Sequence, residues 1–151
     1  MSVARSALIL GARSDIARAI ARQLAAEGYA LMLAARDPLA LEPDAIDLRI
    51  RHGATVTTHA FDALDTQDFN RFRDDLPSLP ELAVCAVGAM GEQAESQADP
   101  AAAATVLRST FEGPALILGL LAQRMEGRGS GTLVGTSSVA GERGRASHYV
   151  H

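Results

Sequence analysis

The chain contains no lysine; all 14 of its basic residues are arginine. It has one cysteine, Cys85, and so no internal disulfide, which suits a reducing cytoplasm and makes that the expected location. Positive charge is scarce overall. The 18 acidic residues leave a net charge of −4, so no basic field exists to track a phosphate backbone, and nucleic acid is not an expected partner. Long apolar runs are missing too: Pro114 to Ala122 falls far short of the roughly 18 residues that cross a bilayer, and no membrane association is expected. Arg5 and the apolar Ala7–Leu10 begin like a signal peptide, but Arg13 and Asp15 interrupt the run before a usable apolar stretch forms. What is present is a chain of 151 residues, 48% hydrophobic and 21% charged, the size and composition of one globular domain spanning 1–151.

Five short apolar runs punctuate it, at Ala7–Leu10, Ala30–Ala35, Thr55–Phe61, Leu82–Val87 and Thr132–Gly135. Continuous apolar character over so few residues predicts strands covered on both faces, as in a parallel sheet. Helical patterns fill the intervals. Ile16, Ile20 and Leu24 are spaced by four with Ala17 and Ala21 beside them, which predicts a helix from Asp15 to Glu27, stopped by Gly28. Pro43 opens a second, with Ile46 and Ile50 on one face, ending near His52-Gly53. A third is expected over Asp65–Leu76, and a fourth over Asp99–Glu126 with a kink at Pro114. This alternation predicts a doubly wound α/β domain with a parallel sheet, whose ligands sit beyond the carboxyl ends of the strands.

The residues after each strand are therefore the candidates. The first strand leads through Gly11-Ala12-Arg13-Ser14-Asp15-Ile16 into a helix start, where free backbone N–H groups and the helix dipole offer a seat for a pyrophosphate. The same segment also reads as an ordinary turn with Ser14 or Asp15 as N-cap. Arg36-Asp37 follow the second strand. An arginine there accommodates the 2′-phosphate of NADP(H), where an NAD(H) site carries an acidic residue, and Arg13 can form the other jaw. Alternatively both residues solvate a loop; two arginines in these places favour NADP(H) over NAD(H). Asp62 can accept an adenine amino group or start a turn. At the fourth strand's exit, Ala86 and Gly88 let a ribose approach the backbone, or pack a tight strand end. Cys85 reads as a buried small hydrophobe. After the fifth strand, Ser137-Ser138 stand where a substrate carbonyl can be polarised, or form a Ser/Thr turn. No metal ligands are assigned.

Together these features resemble the short-chain dehydrogenase/reductase family along the whole chain. Its opening T-G-x-x-x-G-x-G corresponds to Leu10-Gly11-Ala12-Arg13-Ser14-Asp15-Ile16-Ala17, with Asp15 and Ala17 replacing the last two glycines. The resemblance places Asp62 on the adenine-contacting aspartate and Gly88 on the glycine of N-N-A-G. It places Ser138, within Ser137-Ser138-Val139-Ala140-Gly141, on the catalytic serine. It implies a Rossmann-like sheet in the order 3-2-1-4-5 and hydride transfer between a nicotinamide cofactor and a small-molecule carbonyl or secondary alcohol. A fifth strand left as an edge, with the apolar Leu116, Leu118, Leu120 and Leu121 of the fourth helix, implies a homo-oligomer.

The family's helix asparagine corresponds to Thr110, and its tyrosine, opening Y-x-x-x-K, falls 13 positions beyond the serine. That position here is His151; Tyr149 stops two residues short, a rotation of about 200° on a helix. The expectation is an N-terminal part truncated before Y-x-x-x-K, incomplete on the C-terminal side of its sheet, that binds the dinucleotide without turning over. Ser138, Tyr149 and His151 remain the catalytic candidates. The alternative is a non-catalytic dinucleotide-binding module or sensor. An S-adenosylmethionine-dependent methyltransferase ranks last, since Arg36 stands where it wants an acidic residue.

Overall fold

The computed structural model describes residues 5–87 and 98–136. Strands β1 (Ser6–Leu10), β2 (Ala30–Ala35), β3 (Val56–Ala60), β4 (Leu82–Cys85) and β5 (Thr132–Gly135) form one parallel sheet in the order β3-β2-β1-β4-β5. Side chains alternate along a strand, so β1 feeds two cores. Ala7 and Ile9 join the core under α1 (Asp15–Ala26) and α2 (Glu42–His52). Leu8 and Leu10 join the one under α3 (Phe69–Asp75) and α5 (Gly113–Arg128). Leu8, Ile9 and Leu10 are wholly buried, each contributing about 1.5–3 kcal/mol of hydrophobic stabilisation. This is the doubly wound, Rossmann-like arrangement with the expected strand order.

On α1 the expected stripe is buried or half-buried except at Ile16, whereas α2 turns a different face inward from the one its apolar spacing suggests. On α1 the buried line is Ala17, Ala21, Leu24 and Ala25, small residues that let the helix lie close to the strands, while Ile16 is 62% exposed. On α2, Ala45 and Leu48 are buried and Ile46 and Ile50 face out. Polar anchors set that rotation. Arg18 of α1 pairs with Asp44 at 3.1 Å, and Arg49 donates to the Val56 carbonyl at 2.6 Å. Between them they hold α2 against α1 on one side and β3 on the other. The expected Asp65–Leu76 helix divides into a 3₁₀ turn, Thr66–Asp68, followed by α3. In α3, Phe69 and Phe72 close on Phe61, with ring centroids 5.3 and 4.9 Å away.

The expected kink at Pro114 takes the form of a π-helical turn, Arg108–Glu112, between α4 (Pro100–Leu107) and α5. Proline has no N–H for the carbonyl one turn back, and the chain compensates by widening. The Gly113 N–H reaches Arg108, five residues back, and the Ser109 and Thr110 hydroxyls donate to the carbonyls of Thr105 and Val106. Gly113 lies so close to the Ala63 carbonyl that a β-carbon would not fit. Of the four leucines expected on one apolar face, Leu121 is in the core, Leu118 and Leu120 pack partly against it, and Leu116 is exposed. Exposed Leu107 and Phe111 lie on the segments just before α5, and all four residues of β5 are exposed. Among the described residues, no helix is long and apolar enough to cross a membrane.

The two faces of α2 yield a direct contrast. Leu48→Ala is expected to lower unfolding stability by about 2–5 kcal/mol, and Ile50→Ala to change it by no more than about 0.5 kcal/mol. Urea denaturation of both variants beside the parent chain checks this.

Candidate functional site

A cleft of about 540 Å³ opens beyond the carboxyl ends of β1 to β4. Its floor depends on the turn leaving β1. Gly11 adopts φ 75°, and the N–H groups of Gly11 and Ala12 both donate to the Ala34 carbonyl at 3.0 Å. A β-carbon on Gly11 would stand 2.8 Å from the Ala86 carbonyl and the Val87 nitrogen, so only glycine lets the turn cross the β4 exit at this distance. The chain then enters α1 with Ser14 as N-cap, its Oγ accepting from the Ala17 N–H at 3.1 Å. The N–H groups of Asp15 and Ile16 in the first turn have no partner within the helix and carry its positive end toward the cleft side of the sheet.

Two arginines line the cleft, Arg13 and Arg36. Most arginines elsewhere are engaged, among them Arg18 with Asp44, Arg49 with Glu42, Arg51 with Asp47, Arg108 with Glu112 and Arg128 with Glu81; Arg22, outside the cleft, is an exception among the described residues. Among the described residues neither Arg13 nor Arg36 makes an ion pair or a side-chain hydrogen bond. The two carboxylates of the cleft are half occupied. Asp37 Oδ1 accepts from the Leu39 N–H at 3.1 Å, and Asp62 Oδ1 from the Leu64 N–H at 2.9 Å. Asp62 therefore starts a turn and still offers its second oxygen to the cleft. Ala35, Phe61, Ala63, Leu64, Ala86 and Val87 supply apolar wall. Cations and a helix N-terminus beside an apolar wall suit a ligand that joins phosphate to a flat, weakly polar ring system.

Six sequence candidates thus come together: Gly11, Arg13, Ser14, Arg36, Asp62 and Ala86. Asp15 and Ile16 do not line the cleft. The Asp15 carboxylate is in solvent, 3.7 Å from Arg18, and the Ile16 side chain points away from the core, so both can serve only through backbone N–H groups. Gly88, Ser138, Tyr149 and His151 lie outside the described residues. Leu64 and Ser109 were not foreseen. Ser109 lines the wall and Thr110 does not, although both hydroxyls donate to the carbonyl four residues back. Cys85 is buried, and that burial pushes its thiol above the usual range against a smaller opposing hydrogen bond from Val87. It is core rather than nucleophile. His59, half-buried on β3 and bonded to Thr57 at 2.8 Å, is pushed below the usual histidine range by burial and does not line the cleft.

The family model for short chain dehydrogenases matches residues 5–150. An uncharacterized oxidoreductase of Mycobacterium tuberculosis is 36% identical over 147 residues, covering 95% of this chain and 59% of the relative. An uncharacterized oxidoreductase of Streptomyces coelicolor is 37% identical over 151 residues, covering 97% and 59%. The chain spans 59% of the length of these curated relatives. Among solved structures, the bulky-bulky ketone specific alcohol dehydrogenase of Comamonas testosteroni shares the fold at a TM-score of 0.87 and 22% identity, over 99% of this chain and 61% of that one. With nearly the whole chain matched, and with a parallel sheet whose cleft lies where the order reverses at β1, this protein belongs to the short-chain dehydrogenase/reductase family.

Proposed function

We propose that the chain is the dinucleotide-binding part of an oxidoreductase and prefers NADP(H) to NAD(H). The observation that carries this reading is the pair Arg13 and Arg36, which line one cleft and have no carboxylate partner among the described residues. A guanidinium already in a salt bridge must give that bond up to hold phosphate; among the described residues these two have none to give up. In this reading the pyrophosphate lies at the N-terminus of α1 on the N–H groups of Asp15 and Ile16, the two arginines hold the 2′-phosphate, and Asp62 accepts from the adenine. A bound nicotinamide supplies or takes up the hydride. Ser138 is assigned to hold the oxygen of a carbonyl or secondary alcohol substrate.

The proton that must accompany hydride transfer is the weak point of the 151-residue polypeptide. A tyrosine with an unperturbed pKa of about 10 needs a nearby cation to lower it. The 151 residues contain no lysine, and no arginine follows Tyr149. An unperturbed imidazole has a pKa of about 6.5, but His151 would have to be held to within a fraction of an ångström to act. Self-association belongs to the same reading: among the described residues Leu107, Phe111 and Leu116 leave apolar surface exposed, and β5 is the edge strand of the sheet.

Calorimetric titration should give tighter binding of NADP(H) than NAD(H) by about 5- to 150-fold, from charge-assisted contacts of about 1–3 kcal/mol. Arg36→Ala should abolish the preference; equal affinities in the parent chain would sink it. NADPH oxidation by the 151-residue polypeptide is expected to be absent with ketones, aldehydes and keto-sugars, and to appear when the polypeptide is extended through a Y-x-x-x-K segment. Robust turnover lost in His151→Ala would overturn that expectation. Sedimentation should show oligomers that Phe111→Asp dissociates, and a parent chain that sediments as a monomer at tens of micromolar (about the range where such association appears) would contradict it.

A further inference from the structure

Ser109 is the one buried polar side chain among the described residues, and nothing so far gives it a role in the cleft it lines. Two contacts set its position. Arg108, one residue before it, donates to the Leu64 carbonyl at 3.0 Å, and Gly113, just beyond the π turn, abuts the Ala63 carbonyl. The π turn is thereby clamped along the Asp62–Leu64 turn, and Ser109 stands with Ala63 and Leu64 in the same wall. Its proton is already committed, because Oγ donates to the Thr105 carbonyl. A hydroxyl that has given its proton away has only lone pairs left to offer. Asp62, with Oδ1 bonded to the Leu64 N–H, likewise offers only an acceptor.

We propose that Ser109 is a base-specificity residue. Its Oγ accepts one N–H of the adenine amino group while Asp62 accepts the other, so that the cleft selects a 6-aminopurine over a 6-oxopurine. The assignment rests on the dinucleotide reading above. An amino group has two N–H donors, and two acceptors satisfy both. A 6-oxo group would set lone pairs against lone pairs. Ser109 can turn to meet it only by giving up its hydrogen bond to the Thr105 carbonyl, and a site that faces the base with acceptors disfavours an analogue lacking the donor.

The test titrates the 151-residue chain with NADP+ and with nicotinamide hypoxanthine dinucleotide phosphate, which differ only in the base. The parent chain is expected to bind the adenine form about tenfold more tightly. Ser109→Ala should narrow that ratio about fivefold. Ser109→Cys, close in size with a sulfur that accepts poorly, should narrow it likewise and serves if the alanine variant does not fold. Ser109→Thr, which keeps the hydroxyl, should preserve the ratio. An unchanged ratio in Ser109→Ala or Ser109→Cys, or equal weakening of both dinucleotides, overturns the assignment and leaves the dinucleotide reading standing. If the parent chain binds neither form, the dinucleotide reading itself fails, and this assignment with it.

Discussion

The chain leaves β1 by passing against the backbone of the β4 exit, with Gly11 in a left-handed conformation and no room for a β-carbon before Ala86. Strand order reverses at β1, so the crevice of the sheet opens at this crossing. A side chain there would fill the crevice or push β4 from β1, and the sheet would lose its register across the centre. Because Gly11 and Ala12 share the Ala34 carbonyl, the turn is tied to β2 as well as pressed on β4. The direction of α1, the placing of Arg13 on the lip and the N-terminal amides behind it all follow from that one close approach.

Charge in this protein is organised by what it leaves unpaired. Exposed pairs such as Arg51–Asp47 and Arg71–Asp68 add little stability, since water and salt screen them. They do, however, occupy arginines that would otherwise compete for anions. In the cleft the pattern inverts. Asp37 and Asp62 are turned onto backbone N–H groups of their own turns, and Arg13 and Arg36 are left facing the same space. A local hydrogen bond that stabilises a turn thus also orients each carboxylate, and neither aspartate forms an ion pair with Arg13 or Arg36.

The second wall of the cleft owes its position to Gly113 and Pro114. Proline interrupts the helical ladder, glycine allows the widened turn to lie on the Ala63 carbonyl, and Arg108 fastens the result to Leu64. At the other end of α5, Arg128 donates to the carbonyls of Leu79 and Pro80 at 2.8 Å and holds the helix to the segment entering β4. The helix is therefore fixed at both ends by backbone contacts, and its apolar side chains Ile117, Leu121 and Met125 fill the core between.

Local sequence was sufficient for the order of strands and helices, because apolar runs, glycine stops and proline starts are signals carried by a few neighbouring residues. It was sufficient, too, to pick out Gly11, Arg13, Ser14, Arg36, Asp62 and Ala86, which follow the strands and line one cleft in the structure. It could not say which face of α2 is buried. Periodicity tells which residues share a side of a helix, but its rotation is set by Arg18–Asp44 and by Arg49 on Val56, contacts between residues distant in sequence or on different elements. Nor could it single out Ser109 over Thr110. A π turn adds one residue to the helical repeat, and the turn before Pro114 lies against the Ala63 and Leu64 carbonyls, contacts with a segment far off in sequence.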